Sequence, residues 1–365
     1  MMRRFTASNF RCIENAELNL GPGFNLIYGA NASGKTTLLE AMAYLGRGKS
    51  FRGASTSDLI RHGQQEFVLF GEADSGGGTR RLGVRNSREG LEVRVDGRNE
   101  GGAAALAEAL PLQVIDPEVH NLIAGGPDQR RRFVDWIAFH VEHDHLHTWR
   151  RFRRSLKQRN AALKARTGLA SIRSWNAEFI ELGLALDASR RRALEAAKES
   201  LVAYGTRLLE TDLAFEYQRG WNREKALEAV LEEAFERDVQ QGATQHGPHR
   251  ADLKVSTDDR QARKLVSRGQ QKLLASAMIL AATATAQASL KRPLLLLLDD
   301  PAAELDNRAL ERLLDAVGGL ECQVVATSLE RNALRLPADA PVFHVEHGVL
   351  GAAGRVAANC FRSGK

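Results

Sequence analysis

The sequence predicts an α/β fold: a mixed sheet carrying a phosphate-binding loop, an antiparallel β-subdomain, and a helical lobe inserted between the two halves of the sheet. Three observations predict it. An apolar strand, Phe24-Asn25-Leu26-Ile27-Tyr28, runs directly into Gly29-Ala30-Asn31-Ala32-Ser33-Gly34-Lys35-Thr36 and then into a helical pattern. A run of five leucines at 294–298 ends in Asp299-Asp300. Between them, residues 128–240 are rich in Ala, Leu, Glu and Arg, with apolar residues recurring every three or four positions; this is the signature of helices.

Taken in order, residues 3–10 and 15–20 read as short strands, 24–28 as a buried one and 36–46 as a helix. From 67 to 95, alternating stretches broken by glycine-rich turns predict antiparallel strands. Gly168 and Gly183, with Trp149, Trp175 and Phe179, interrupt any heptad register in the helical block, which favours a compact bundle over a long coiled coil. Strand signals return after His246, followed by a helix at 270–287 and buried strands at 294–298 and 323–327. The expected division is a head formed by 1–120 and 241–365, with the helical lobe at 121–240.

The chain of 365 residues is 43% apolar and 26% charged, the balance of a globular protein with a sizeable core. No apolar run reaches the length that crosses a bilayer, and Arg3-Arg4 lacks the apolar stretch of a secretory signal. Cys12, Cys322 and Cys360 are odd in number and widely separated, so they read as free thiols of a reducing, cytoplasmic setting. The net charge is +6. Between Arg130 and Arg192 stand fifteen Arg and Lys against six Asp and Glu, so the cationic excess lies in the helical lobe. Such a concentration points to a phosphate-rich partner more than overall charge does.

The run 29–36 fits G-x-x-x-x-G-K-[ST] in its required strand-to-helix context. Its glycines allow the backbone N–H groups to wrap a phosphate, and the helix N-terminus adds positive potential. Lys35 is placed to reach the β- and γ-phosphates, Thr36 to ligate Mg²⁺, and Thr37 to border the nucleotide. Asp299, at the carboxyl end of a central strand, is the expected partner of that metal, and Asp300 the group that orients or deprotonates an attacking water. The long separation of the two halves excludes a small kinase or GTPase domain.

Further residues resemble those of ABC/SMC-like ATPase heads. Ser267-Arg268-Gly269-Gln270, directly before a helix, resembles the signature motif, which in such proteins meets the γ-phosphate held by a second subunit. Ala303-Glu304-Leu305-Asp306 resembles the D-loop, Arg11 the arginine that reaches the nucleotide phosphates, and Gln113 the glutamine that senses metal and γ-phosphate. Over essentially its whole length the sequence resembles the RecF family. The stretches more particular to that family are Gly48-Lys49-Ser50-Phe51-Arg52, Gly126-Pro127-Asp128-Gln129-Arg130-Arg131-Arg132-Phe133-Val134-Asp135, Leu156-Lys157-Gln158-Arg159-Asn160 and Gly247-Pro248-His249-Arg250-Ala251-Asp252-Leu253. His249 and Arg250 read as part of a turn. The sequence departs from the wider class in three ways. Asp300 stands where most ABC proteins have Glu, Thr327 stands where transporters have a switch histidine, and Ala32 replaces a frequent glycine at little expected cost.

The resemblance implies an ATP-dependent homodimer that closes on duplex DNA or single-strand gap junctions and reopens on slow, DNA-stimulated hydrolysis. It also implies partnership with the mediator proteins RecR and RecO. Arg130, Arg131, Arg132, Arg150, Arg151, Arg153, Arg154 and Lys157 are the candidate DNA contacts, with ATP and Mg²⁺ as cofactors. The alternative is an ABC-type ATPase subunit of a transporter or another ATP-gated scaffold. The helical insert and the missing switch histidine speak against the transporter, and no membrane partner is expected.

Overall fold

The computed structural model describes residues 1–74, 78–166, 168–257, 260–261, 267–303, 305–351 and 354–355. Glu304 and Cys360 lie outside them. The chain divides into two compact units, Met1–Val119 with Lys291–Lys365, and His120–Leu290.

The first unit holds two sheets. Strands β1 (Met2–Phe10), β2 (Ile13–Asn19), β4 (Glu66–Asp74), β5 (Thr79–Ser87), β6 (Gly90–Val95) and β7 (Arg98–Asn99) pair antiparallel in the order β2-β1-β4-β5-β6-β7. The second sheet has a parallel core. β14 (Pro341–Glu346), β3 (Phe24–Tyr28), β13 (Gln323–Ser328), β12 (Leu295–Leu298) and β8 (Leu112–Ile115) lie in that order. β15 (Val349–Leu350) and β16 (Gly354–Arg355) pair antiparallel with β14. All four residues of β12 are buried, as a central strand covered on both faces requires. Helix α1 (Lys35–Arg47) buries eleven of its thirteen residues between the sheets. Its Leu38, Leu39, Met42 and Tyr44 share one core with Phe5, Phe10, Phe67, Leu297 and Val325. Short helices α2 (Thr56–Leu59) and α3 (Ala103–Ala109) complete this unit's first half, and α12 (Asn307–Gly318) follows β12.

The second unit is mostly helical: α4 (Asn121–Ala124), α5 (Pro127–Val141), α6 (His145–Ala165), α7 (Leu169–Arg173), α8 (Asn176–Leu209), α9 (Leu227–Glu233), α10 (Phe235–Gln241) and α11 (Arg268–Leu290). Helix α8, of 34 residues, is the spine, packed against α5, α6 and α11. Gly183 does not interrupt it. A Cβ there would stand 3.2 Å from Leu227 and 3.6 Å from Phe152, so the glycine lets other elements approach the spine. One strand inside the helical block departs from the sequence expectation: β9 (Ala214–Gln218) pairs with β10 (Asp252–Thr257), which also pairs with β11 (Arg260–Gln261).

These pairings correct the expected boundary at 240. Because β10 pairs with β9 and α11 packs on α8, residues 241–290 group with the helices and not with the head. Helix α11 also corrects the hydropathy reading. It is long and apolar enough to cross a membrane by length and composition alone, but its apolar stretch is mostly buried within the protein.

Candidate functional site: a phosphate loop, an aspartate pair and a basic helix

The phosphate loop follows β3, where Gly29 N–H still bonds the Ser328 carbonyl of the neighbouring strand β13 at 3.3 Å. A Cβ at Gly29 would overlap the Val345 carbonyl oxygen, so only glycine fits. Gly34 has φ 112°, closed to side chains. Ala32 has φ 60°, in the left-handed region, where a Cβ costs about 1–2 kcal/mol. This corrects the expectation that replacing glycine there costs little. The turn joining β14 and β15 braces the loop, with Gly348 N–H donating to Ser33 O at 2.8 Å.

Lys35 Nζ donates to the carbonyls of Gly29 at 2.7 Å and Ala30 at 2.9 Å, curling back under its own loop. Burial lowers its pKa, against the pull of Asp300 and Asp299. Ser33 Oγ is buried without a hydrogen-bond partner; Asn31 is exposed at the rim.

Thr36 Oγ1 donates to Asp299 Oδ1 at 2.9 Å, joining residues 263 positions apart in the chain. Thr327 Oγ1 donates to the same carboxylate oxygen at 2.9 Å and accepts from the Asp300 N–H at 2.8 Å. Thr327 thus holds the aspartate pair. Asp300 itself has φ 46°, a strained turn that carries it off the end of β12. Burial raises the Asp299 pKa, only partly offset by the two threonine hydroxyls.

Gln113 is not at this end of the sheet. It is buried inside β8 opposite Leu296, and its Oε1 accepts from Arg47 Nη2 at 3.0 Å. The residue at the ligand end of β8 is Asp116, next after the Ile115 whose carbonyl accepts from Asp299 N–H at 2.9 Å. Burial and the Asp299 carboxylate raise Asp116 to a pKa of about 6. Its position beside the aspartate pair follows from strand register, which the sequence alone does not give.

Arg11 lies in the β1–β2 turn beside Cys12, whose thiol reaches Thr37 Oγ1 at 3.7 Å. The Arg11 guanidinium is held bidentately by Glu40 of α1, at 2.7 and 2.9 Å. Sequence reasoning misses Glu40. An acid one helical turn beyond Thr36, on a helix otherwise buried, is the signal that could have found it. Asp306 caps α12, accepting from Ala309 N–H at 2.8 Å.

In the second unit, Ser267 and Gln270 form a reciprocal cap on α11. Gln270 N–H donates to Ser267 Oγ at 3.3 Å, and Ser267 N–H to Gln270 Oε1 at 3.0 Å. Ser267 and Gln270 are exposed and Gly269 is half-buried, so the helix N-terminus faces outward.

The candidate DNA residues divide sharply. Arg130 is buried, bidentate with Asp252 at 2.8 and 3.1 Å, and donates to the carbonyls of Ile123 and Gly125. Arg131 donates to Ala251 O at 2.5 Å and pairs with Asp128. Both are structural and leave the candidate set. Arg132, Arg150, Arg153, Arg154 and Lys157 are exposed, and Arg151 pairs only loosely with Glu178 at 3.5 Å. With Lys164, the cations at 150, 153, 154 and 157 recur at helical spacing along one face of α6. His249 lies in the turn Pro248–Arg250, its Nε2–H donating to Thr244 O at 3.0 Å.

Fold and site together define a P-loop NTPase head of the ABC type, in the form shared with SMC proteins. The pattern of the RecF/RecN/SMC N terminal domain matches residues 1–349. The chain belongs to the RecF family. It is 40% identical to the DNA replication and repair protein RecF of Edwardsiella ictaluri, over 96% of this chain and 99% of that protein. It is 41% identical to that of Azotobacter vinelandii, over 94% and 96%. A solved structure of the recombination mediator protein RecF-ATP in the RecFOR pathway superposes with TM-score 0.87 at 24% identity, covering 96% of each chain. An Smc head bound to the C-winged helix domain of ScpA gives 0.61 at 17% identity, covering 98% of each. At these identities the two structures speak for the fold alone.

Proposed function

We propose that this protein is an ATP-gated DNA-binding switch of replication and recombinational repair. The observation that carries the ATP site is the 2.9 Å contact between Thr36 and Asp299, which brings the phosphate loop and the aspartate pair to one point. A hydroxyl and a carboxylate side by side suit Mg²⁺, a hard cation that takes few protein oxygens and fills its shell with phosphates and water. In this reading the 29–36 loop and Lys35 hold the phosphates, with Thr37 and Arg11 beside them. Thr36 and Asp299 hold the metal, and Asp300 orients the attacking water. Thr327 fixes both aspartates but has no titratable group to lend, in keeping with slow hydrolysis.

The outward-facing N-terminus of α11 supports the dimer. Ser267, Gly269 and Gln270 of one copy would meet the γ-phosphate held by another, with Asp306 at the same junction. ATP would therefore close two heads, and hydrolysis would part them. The exposed face of α6 is the proposed contact for duplex DNA or gap junctions. The relatives' repair role extends the reading to loading of recombinase with RecR and RecO in the cytoplasm. Light scattering on Ser267→Arg tests the switch. The variant should bind ATP with unchanged affinity yet stay monomeric where wild type dimerises, and ATP-dependent dimers of the variant would sink the clamp.

A further inference from the structure

The stretch Gly48-Lys49-Ser50-Phe51-Arg52 has no part in the site described so far, yet its Ser50 bonds one buried acid, which Arg52 Nη1 also approaches at 3.9 Å. Glu40 is fully buried on α1, one turn beyond Thr36. Its Oε2 accepts from Arg11 Nε at 2.7 Å, and its Oε1 from Arg11 Nη2 at 2.9 Å and from Ser50 Oγ at 2.5 Å. The backbone that delivers Arg11 is held under strain. Asn9 has φ 57° and Arg11 φ 51°, two left-handed residues within three positions. Arg11 N–H to Leu59 O at 2.8 Å and Arg61 N–H to Asn9 O at 2.9 Å pin that turn in place. Strain of this kind persists where the surroundings over-determine it, and it gathers at ligand sites. The same turn is pressed against the phosphate loop, because a Cβ on Gly34 would stand 3.4 Å from Cys12 Sγ.

We infer that Glu40 is a positioning residue of the nucleotide site: it holds Arg11 by two nitrogens so that Nη1 is presented to the polyphosphate, with Ser50 locking the carboxylate. The inference rests on the ATP reading above. A buried carboxylate serving only to fold the head would be indifferent to the charge of the ligand. A positioning one must act through Arg11 and in proportion to phosphate charge.

The test is a double-mutant cycle on the full chain, titrating ATP, ADP and AMP against wild type, Arg11→Gln, Glu40→Gln and the pair, with thermal unfolding alongside. Each single change should weaken ATP binding roughly tenfold, ADP less and AMP least, with the double variant no worse than either single. The inference is overturned if Glu40→Gln binds ATP as wild type does, if it weakens all three nucleotides equally, or if the two losses multiply. Should Glu40→Gln fail to fold, Ser50→Ala removes the lock and keeps the charge. A loss of about two- to threefold in ATP affinity, absent in the Arg11→Gln background, is then expected, and no loss overturns the inference. Lys35→Ala separates the two readings. If it binds ATP as tightly as wild type, the ATP site itself is wrong and Glu40 falls with it; if it does not, the outcome at Glu40 stands on its own.

Discussion

Ala32 and His249 show how far a single residue's environment departs from its type. Ala32 keeps a Cβ at φ 60° in the loop that wraps phosphate. Gly at this position relieves the strain but loosens the unfolded chain, so Ala32→Gly should gain about 0.5–1 kcal/mol of stability. A rise of the urea midpoint at unchanged slope checks it; a fall would mean the loop has already absorbed the strain. His249 is half-buried, packed against Phe152 and Phe179 with Nδ1 unpartnered, and loss of hydration lowers its pKa to about 4. The folded value lies below the unfolded one of about 6.5. Between those values the unfolded chain therefore binds the extra proton, and stability falls as pH drops from 6.5 toward 4. From pH 7.5 to 5 the loss should be about 2 kcal/mol greater in wild type than in His249→Gln, whose amide can still donate to Thr244 O. Denaturant midpoints at the two pH values measure it, and parallel losses would show that His249 does not titrate on unfolding.

At the level of elements, those with a local signature were the more legible. The phosphate loop, the leucine strand and the signature helix each announce themselves by local pattern, because each combines a periodicity with a fixed chemistry. What was not legible depends on long-range pairing. The strand at 214–218 is a short, half-exposed run inside helical composition, and only its partner 252–257 makes it a strand. Gln113 lies inside β8 and Asp116 three positions on, just past its end, and register alone decides which one reaches the aspartate pair. Arginines that look alike in sequence part in the same way. Arg159 of α6 is fully buried, bonded to Asp238 of α10 at 2.8 Å, to Thr244 at 2.6 Å and to Asn176 of α8 at 2.9 Å. This one guanidinium ties two helices and a loop to α6. Asp238→Ala leaves it buried without its anion and should cost about 3–5 kcal/mol in urea unfolding. Replacing both partners by apolar residues, Arg159→Met with Asp238→Leu, should recover most of that loss. A mild effect of the single change would mean water or another acceptor reaches the site.

For the molecule as a whole, charge is a question of which cations remain free once the fold has used its share. The lobe's excess of basic residues is real, but Arg130, Arg131, Arg159 and Arg190 are taken up by Asp252, Asp128, Asp238 and Asp135. Asp135 shows how completely: burial would raise its carboxyl, yet His145 and Arg190 hold it at about 2. Among the cations left facing solvent are those of the α6 stripe, Arg150, Arg153, Arg154 and Lys157, where Arg153 also stacks 4.7 Å from the Trp149 ring. A stripe of this kind neutralises phosphates and releases counterions, giving affinity that carries no base sequence. The proposed DNA contact therefore makes a graded prediction. With ATP present, log affinity for duplex DNA should fall linearly with log salt. Changing Arg150, Arg154 and Lys157 to Gln should lower the magnitude of that slope by about 2 to 3, nearly one for each phosphate no longer neutralised. Arg130→Gln should act differently, weakening the fold through Asp252 while leaving the slope of the folded fraction unchanged. Equal slopes for wild type and the triple variant would move the DNA contact off α6, and a reduced slope for Arg130→Gln would show that a buried guanidinium reaches phosphate after all.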